Sequence, residues 1–510
     1  MREKQGLLSA NATPAPPAET SPVPHLAMAW IGVLAATAML LSHLRHNGFW
    51  IDEAYSMHAI GLPWGEMALE RLKRGHFPLY FSLLKVLSQL AGGPTEISLR
   101  LPSVVFWLAS VVSFWFLARR WLPCRVAALA VTFAALNGLA IRQAGEARMY
   151  DLVLLEAIWV TRAYVELLKG SPKTHWKVVF AVGSVLGFWT SSSFALTGAV
   201  FLFDAFRRRK NNPALIRIAV ATIAATLLSA ALPVLVHLQT RDRGEIAHVR
   251  PANLVLHVAT FVAGITGADD YYTVPPSLAG LQLVGGGFAT CVLISLYRRR
   301  RKLDELEQLS FRIVVLPICA MTVTWLLSEI QTIDVGLHGP ARYLMGTMPC
   351  GALLASMVIA NWCSSSRRRL FAAHLAVLAI LMTGAWITIR LRTETCRELI
   401  FDLAEHIKPD DALIVVPDQA RETVEMYLPG KKADLAIARW MLDESAVAAM
   451  LKPFEERDTV WLAWIHGKKS PAIRVADRLF GEGETSSPKS RLGERRVYRY
   501  EPRKGIPNLR

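Results

Sequence analysis

Two adjacent carboxylates, Asp52 and Glu53, stand in the run Phe49-Trp50-Ile51-Asp52-Glu53-Ala54-Tyr55-Ser56, a few residues beyond the first long apolar stretch of the chain. An ionised carboxylate at the edge of a membrane costs desolvation energy, so such residues tend to be there for a function. A carboxylate placed this way can take the proton from a hydroxyl group as that hydroxyl attacks a substrate. The bland alternative is structural: an acidic residue in the first turn of a helix answers the free N–H groups and the dipole there. Asp52 is the favoured base. Glu53 either shares the catalytic role or orients and tunes its neighbour.

These residues must be positioned by a chain that is mostly membrane-like. It has 510 residues, of which 53% are hydrophobic, with a mean hydropathy of +0.31. Repeated apolar stretches of about 17–25 residues are the signature of transmembrane helices. The net charge of +16 and a pI near 9.7 would suggest nucleic acid in a soluble protein. Here the basic residues fall in short clusters between apolar spans, the positive-inside pattern, and nucleic-acid binding is excluded on that ground. Six cysteines, Cys124, Cys291, Cys319, Cys350, Cys363 and Cys396, are scattered without a CxxC pair. Neither a zinc site nor a disulfide framework is indicated. Residues 1–26 read as a cytoplasmic tail, disordered through its Ala, Pro, Ser and Thr content, ahead of a retained first helix rather than a cleaved signal peptide.

Apolar spans are expected over residues 27–45, 99–118, 124–140, 150–168, 177–190, 193–206, 214–236, 277–297, 310–328, 343–362 and 370–390, about eleven in all. Basic clusters separate them: Arg119-Arg120; Lys169 with Lys173 and Lys177; Arg207-Arg208-Arg209-Lys210; Arg298 to Arg301 with Lys302; and Arg367-Arg368-Arg369. If all face the cytoplasm, the spans between them come in pairs. That requires 177–206 to be a hairpin turning at Thr190-Ser191-Ser192-Ser193, with arms of about 15 residues, shorter than a usual span. One long tilted helix is the alternative. With the hairpin, residues 46–98, 141–149, 237–276, 329–342 and everything past 391 face outward, and all the candidate chemistry falls in these segments.

The first outward segment is too long for a simple turn, and its stretch Leu79 to Leu90 reads as a helix lying along the membrane surface. Residues 237–276 hold a charged stretch and an apolar helix near Leu254–Val262, a candidate lid. Beyond residue 391 the composition becomes that of a soluble domain. Strands at 412–416, 459–464 and 496–500 alternate with helices near 395–407, 418–428, 444–456 and 471–480, which predicts a small α/β domain with a largely parallel sheet. No Gly-rich phosphate loop accompanies them, so nucleotide binding is not expected.

Taken together, four pieces of sequence resemble the GT-C superfamily of integral-membrane glycosyltransferases. More narrowly, they resemble bacterial relatives of the dolichyl-phosphate-mannose protein O-mannosyltransferases and of the aminoarabinose transferases. The pieces are Trp50-Ile51-Asp52-Glu53-Ala54-Tyr55; His76-Phe77-Pro78-Leu79-Tyr80; Leu99-Arg100-Leu101-Pro102-Ser103; and Glu146-Ala147-Arg148-Met149-Tyr150 with Arg342-Tyr343. The resemblance covers residues 27–390. It departs from the family at His76-Phe77-Pro78, which lacks the first proline of the usual pair, and at Thr190-Ser191-Ser192, which replaces a Thr-His-aromatic segment. Leu154 stands where the aminoarabinose branch has a second acidic residue; Glu146 or Asp151 would be its substitute.

The resemblance implies an α-helical polytopic membrane protein of GT-C type with about eleven transmembrane helices, residues 27–390, and a C-terminal soluble α/β domain, residues 391–510, on the extracytoplasmic side of a bacterial inner membrane. It implies an inverting hexosyl- or pentosyltransferase, mannosyltransferase-like, that moves a sugar from a polyprenyl-phosphate donor to a hydroxyl on protein, lipid or polysaccharide. A glycosidase needs a general acid because its leaving group is an alkoxide. A lipid phosphate leaves without a proton, so one base suffices. The same resemblance makes Arg148, Arg342 and His76 the groups that hold the donor phosphate, the guanidiniums by paired bonds to its oxygens. Tyr55, Tyr80, Glu146 and Tyr150 would line the site. The plain readings are that Arg148 pairs with Glu146, that the arginines snorkel to headgroups, and that the tyrosines form a membrane belt. A divalent metal is admitted by the family, but no ligand cluster is visible, and Asp269-Asp270 reads as a solvated loop pair. Rival classes are a transporter of lipid-linked sugars, which should show internal repeats and broken midplane helices, and a membrane scaffold with no need of Asp52, Arg148 and Arg342 on one side.

Overall fold

A computed structural model describes residues 22–45, 48–169, 173–240, 276–299, 301, 303–329, 341–363, 366–391, 396–428, 430–437, 443–465, 471–481, 483–485 and 496–502. The expected N-terminal tail, the lid over 237–276 and Asp269-Asp270 lie wholly or mainly outside the described residues.

A helix stands at each expected span. The chain runs through α1 (Val23–His43), α2 (Ile51–Gly61), α3 (Trp64–Lys73), α4 (Leu79–Leu90), α5 (Glu96–Arg119), α6 (Cys124–Ala135), α7 (Gly138–Ala144), α8 (Tyr150–Leu167), α9 (Thr174–Thr190), α10 (Phe194–Arg207) and α11 (Pro213–Thr240). Helices Pro276–Arg299, Glu305–Glu329, Met348–Trp362 and Arg367–Leu391 follow, with a 3₁₀ turn over Ala341–Thr347. Among the described residues five of these segments are long and apolar enough to cross a membrane, or six if α6 and α7 count as one span.

The expected span 124–140 is not one rod. Asn137 takes the N-cap of α7, its side chain accepting the Leu139 amide at 2.9 Å, and α6 and α7 meet at 54°. A capping asparagine offers the backbone an alternative to continuing the helix. The break carries the chain sideways to the turn that holds Arg148. The pair α9 and α10 breaks at Ser191-Ser192-Ser193, the expected turn, and the two helices pack on each other. At the opposite end of the bundle from the acidic run, buried Asp204 joins α8, α10 and Glu305–Glu329. It accepts the Tyr164 hydroxyl at 2.9 Å, Arg208 at 2.8 Å and Arg312, so one expected topological arginine is also a structural tie.

Helix α4 carries apolar residues on both its buried and its exposed face. It buries Tyr80, Phe81, Leu84, Lys85 and Ser88 and exposes Leu83, Val86, Leu87 and Leu90. An outward apolar face suits a helix lying against lipid.

The C-terminal part carries a five-stranded sheet of order β2-β1-β3-β5-β4, with β1 (Ala412–Val416), β2 (Leu435–Ala436), β3 (Val460–Trp464), β4 (Glu484–Thr485) and β5 (Arg496–Tyr500). Strands β1 and β3 are parallel and buried along their whole length, as unbroken apolar runs in a doubly covered sheet should be. The expectation of a largely parallel sheet is corrected on the other side: β5 is antiparallel to both β3 and β4. Helix Pro471–Phe480 returns the chain to start β4 parallel to β3, and β5 then folds back and inserts between the two. The hydrophobic core is continuous from α1, α5 and α6 through Phe49 to Leu399, Leu403, Val415 and Tyr427.

Candidate active site

The acidic run opens α2. Trp50 takes the N-cap in extended backbone, and Asp52 and Glu53 lie in the first turn. Successive residues on a helix project about 100° apart, so the two carboxylates leave in different directions. Glu53 turns inward and is 0% exposed, while the Asp52 side chain is 23% exposed.

Glu53 is saturated. Its Oε1 accepts Arg100 Nε and its Oε2 accepts Arg100 Nη2, both at 2.7 Å. Oε1 also accepts the Ala147 amide at 2.9 Å, and Oε2 the Trp50 amide at 3.4 Å, the reach-back bond of a capping box. Arg100 is itself 1% exposed and donates to the carbonyls of Leu44 at 2.8 Å and Gly48 at 3.0 Å. A buried charge is tolerated only when paired and hydrogen-bonded in this way.

Asp52 faces cations from two distant segments. Arg148 Nη2 and Arg342 Nη2 each lie 3.4 Å from its Oδ2, and Arg148 Nη1 reaches its backbone carbonyl at 3.4 Å. Arg148 sits in the turn between α7 and α8. Its amide donates to the Glu146 carbonyl at 2.8 Å, and its own carbonyl accepts the Ser103 hydroxyl at 3.2 Å. Its Nε has no partner among the described residues. Arg342 comes from the 3₁₀ turn. Its guanidinium lies 5.6 Å from the Trp50 ring and 5.8 Å from Tyr150, with Arg148 5.9 Å from the same Tyr150 ring. Two guanidiniums and one carboxylate give this trio a single net positive charge, rimmed by aromatic rings.

His76 is set by the end of α3. Gly75 adopts φ 78°; its amide donates to Leu72 at 3.0 Å and the His76 amide to Arg71 at 2.8 Å, the paired bonds of a Schellman motif. Burial, and then the charges of Arg148, Arg71, Arg342 and Arg74, hold the imidazole well below its ordinary pKa. It is a neutral donor at pH 7 rather than a third cation.

The other expected lining residues are distributed differently. Tyr150 joins the arginines. Tyr80 is fully buried, its hydroxyl 3.4 Å from Ser103 Oγ. Tyr55 lies under the Arg74 guanidinium at 3.9 Å, beside Glu422 of the C-terminal part. Glu146 is buried and bonded to Arg142 at 3.3 Å. Asp151, the alternative second carboxylate, is 0% exposed, with both oxygens lacking partners among the described residues. Sequence reasoning gave no role to Arg100 or Arg71. Arg100 stands between Leu99 and Leu101 in an apolar helix, and that isolation was a signal of burial; Arg71 lies in a charged stretch beside Glu70, to which it is bonded, and carried no such signal. Among the described residues no group of three or more His, Cys, Asp or Glu is placed to hold a metal ion, so no step is assigned to one.

No family model matches the sequence, and no curated protein matches it. Solved structures do match. ArnT from Cupriavidus metallidurans in the apo state aligns over 95% of this chain and 99% of its own, with TM-score 0.55 and 11% identity. The same protein bound to undecaprenyl phosphate aligns over 96% and 100%, with TM-score 0.53 and 13% identity. The Archaeoglobus fulgidus oligosaccharyltransferase tethered to an acceptor peptide aligns over 95% of this chain and 75% of its own, with TM-score 0.52 and 11% identity. Identity at that level carries the fold and nothing finer. This chain is a multi-pass membrane protein with the fold of the GT-C glycosyltransferases.

Proposed function

We propose that the protein is an inverting glycosyltransferase that moves a sugar from a polyprenyl-phosphate donor to a hydroxyl acceptor at the outer face of a bacterial inner membrane. The observation that carries this reading is the convergence of Arg148 and Arg342 on one oxygen of Asp52, each at 3.4 Å. A base and an anion clamp then adjoin, as the reaction requires. The acceptor oxygen attacks the anomeric carbon and gives its proton to Asp52. The bond from that carbon to the phosphate oxygen breaks, and the lipid phosphate leaves with the electron pair toward the two guanidiniums. Charge-assisted, paired bonds from arginine suit that developing dianion. Neutral His76 supplies a further N–H donor, and Tyr150 walls the clamp. The neighbour bound to undecaprenyl phosphate supports a polyprenyl-phosphate ligand, and the C-terminal part, extracytoplasmic in this reading, is suited to acceptor selection.

The test is sugar transfer, or donor hydrolysis, by purified protein in detergent with undecaprenyl-phosphate-linked mannose, glucose and aminoarabinose, comparing wild type with Asp52→Asn. Turnover that vanishes in folded variant supports the reading. Equal turnover in both removes Asp52 from the mechanism. Undecaprenyl phosphate that fails to bind at all would move the reading to a scaffold.

A further inference from the structure

The segment joining α1 to α2 is gripped from two sides. From the membrane part, Arg100 holds the carbonyls of Leu44 and Gly48. From the C-terminal part, Arg397 Nη1 donates to the Arg45 carbonyl at 3.0 Å and to Glu96 at 3.0 Å. Tyr427 closes the joint. Its hydroxyl accepts the Phe49 amide at 2.6 Å and donates to Glu96 Oε1 at 2.7 Å. Phe49 and Tyr427 are both buried, so that amide depends on this one hydroxyl. The fit is tight enough to dictate a glycine: a Cβ on Gly48 would come within 2.6 Å of Arg397 Cβ and 3.2 Å of the Tyr427 hydroxyl. Helix Arg421–Tyr427 packs directly on α2, and Arg74 bridges to Glu422 at 3.5 Å.

We infer that Tyr427, with Arg397, is a positioning residue for Asp52: the C-terminal α/β part fixes the backbone of Gly48-Phe49 and thereby the angle at which α2 presents its carboxylate to Arg148 and Arg342. The inference rests on Asp52 being the base. Tyr427 touches no reacting atom. It acts through the Phe49 amide, three residues before Asp52, at the point where the chain turns into the helix. A buried amide left without its acceptor loses its fixed place, and a base displaced by a fraction of an ångström loses rate rather than affinity. The C-terminal part is on this reading a component of the active site, in addition to any part it has in acceptor selection.

The experiment uses the full chain in detergent and two readouts. One is amide hydrogen exchange over residues 48–56. The other is kcat and KM for hydrolysis of the three undecaprenyl-phosphate sugars. Tyr427→Phe is compared with Tyr500→Phe, which removes a hydroxyl bonded to Asp477 at 3.0 Å in the same sheet-bearing part and reports loss of stability alone. In Tyr427→Phe, exchange over 48–56 should rise about tenfold and kcat should fall about tenfold with KM unchanged. Tyr500→Phe should alter neither. Arg397→Gln, which spares the tyrosine, should move both readouts the same way. Exchange and kcat equal to the Tyr500→Phe control in both variants would overturn the inference and reduce the contact to simple docking. If wild type turns over no donor while exchange still rises in Tyr427→Phe, the joint is upheld and the transferase reading is what fails.

Discussion

Asp52 and Glu53 are neighbours in the chain and opposites in setting. Glu53 is enclosed, bonded at 2.7 Å by both arms of Arg100 and capped by two backbone amides. Asp52 keeps a fifth of its side chain in contact with solvent and meets its arginines at 3.4 Å. The first arrangement leaves no capacity for a ligand; in the second the carboxylate keeps solvent contact and its longer ion pairs leave hydrogen-bonding capacity on both the carboxylate and the guanidiniums. The difference comes from one residue of helical rotation. It separates a carboxylate enclosed in the fold from one that stays partly open to solvent.

The largest effect should come from the open carboxylate. Asp52→Asn is expected to lower turnover by about 10²–10⁴-fold, with a smaller loss of melting temperature in detergent than Arg100→Met, because Asp52 is partly solvated and its ion pairs are long. A loss of stability as large as that of Arg100→Met would erase the contrast with Glu53. The enclosed pair should show the reverse signature. Arg100→Met leaves Glu53 buried without its cation and should cost about 3–5 kcal/mol of stability in denaturant titrations. Glu53→Met added to it should recover part of that loss, because the two charges then leave together. A single variant as stable as wild type would show that the pair is not the anchor described here.

A smaller change tests the clamp. Lysine keeps the charge of Arg148 or Arg342 but not the planar fork. Either replacement should weaken undecaprenyl phosphate binding by about tenfold, measured by calorimetry or thermophoresis, and unchanged affinity would detach that arginine from the phosphate. The smallest effect is one of pH. The folded protein resists protonating His76, whose pKa lies well below the ordinary value of 6.5. Below pH 6.5 the unfolded chain takes up a proton that the folded one refuses, so stability falls as the pH drops through that value and is fully present above it. His76→Gln should flatten this acid limb in denaturation curves recorded between pH 7.5 and pH 5, as scanned conditions of about that range allow. An unchanged slope would place the titrating group elsewhere.

Much of the architecture was legible in composition and period. Apolar runs, arginine clusters and the change of character past residue 391 each depend on local sequence, and the helices and the strands β1, β3 and β5 stand where those signals put them. The antiparallel insertion of β5 was not legible, since strand direction is decided by which neighbour is left unpaired once the chain returns. Nor was the break at Asn137, where a single capping side chain overrides an apolar run that continues on both sides. At the site, residue types pointed to Asp52, Arg148 and Arg342, but Arg148 and Arg342 lie far apart in the chain and their meeting on one oxygen is a fact of packing alone. Hydrophobic periodicity and charge placement are local properties, and they suffice to read a chain of membrane helices with an acidic motif just beyond the first of them. Which carboxylate is closed and which is open, and the hold of Tyr427, from the far end of the chain, on the joint between them and the first helix, come from packing, because a buried charge or amide is satisfied by whatever the fold brings to it.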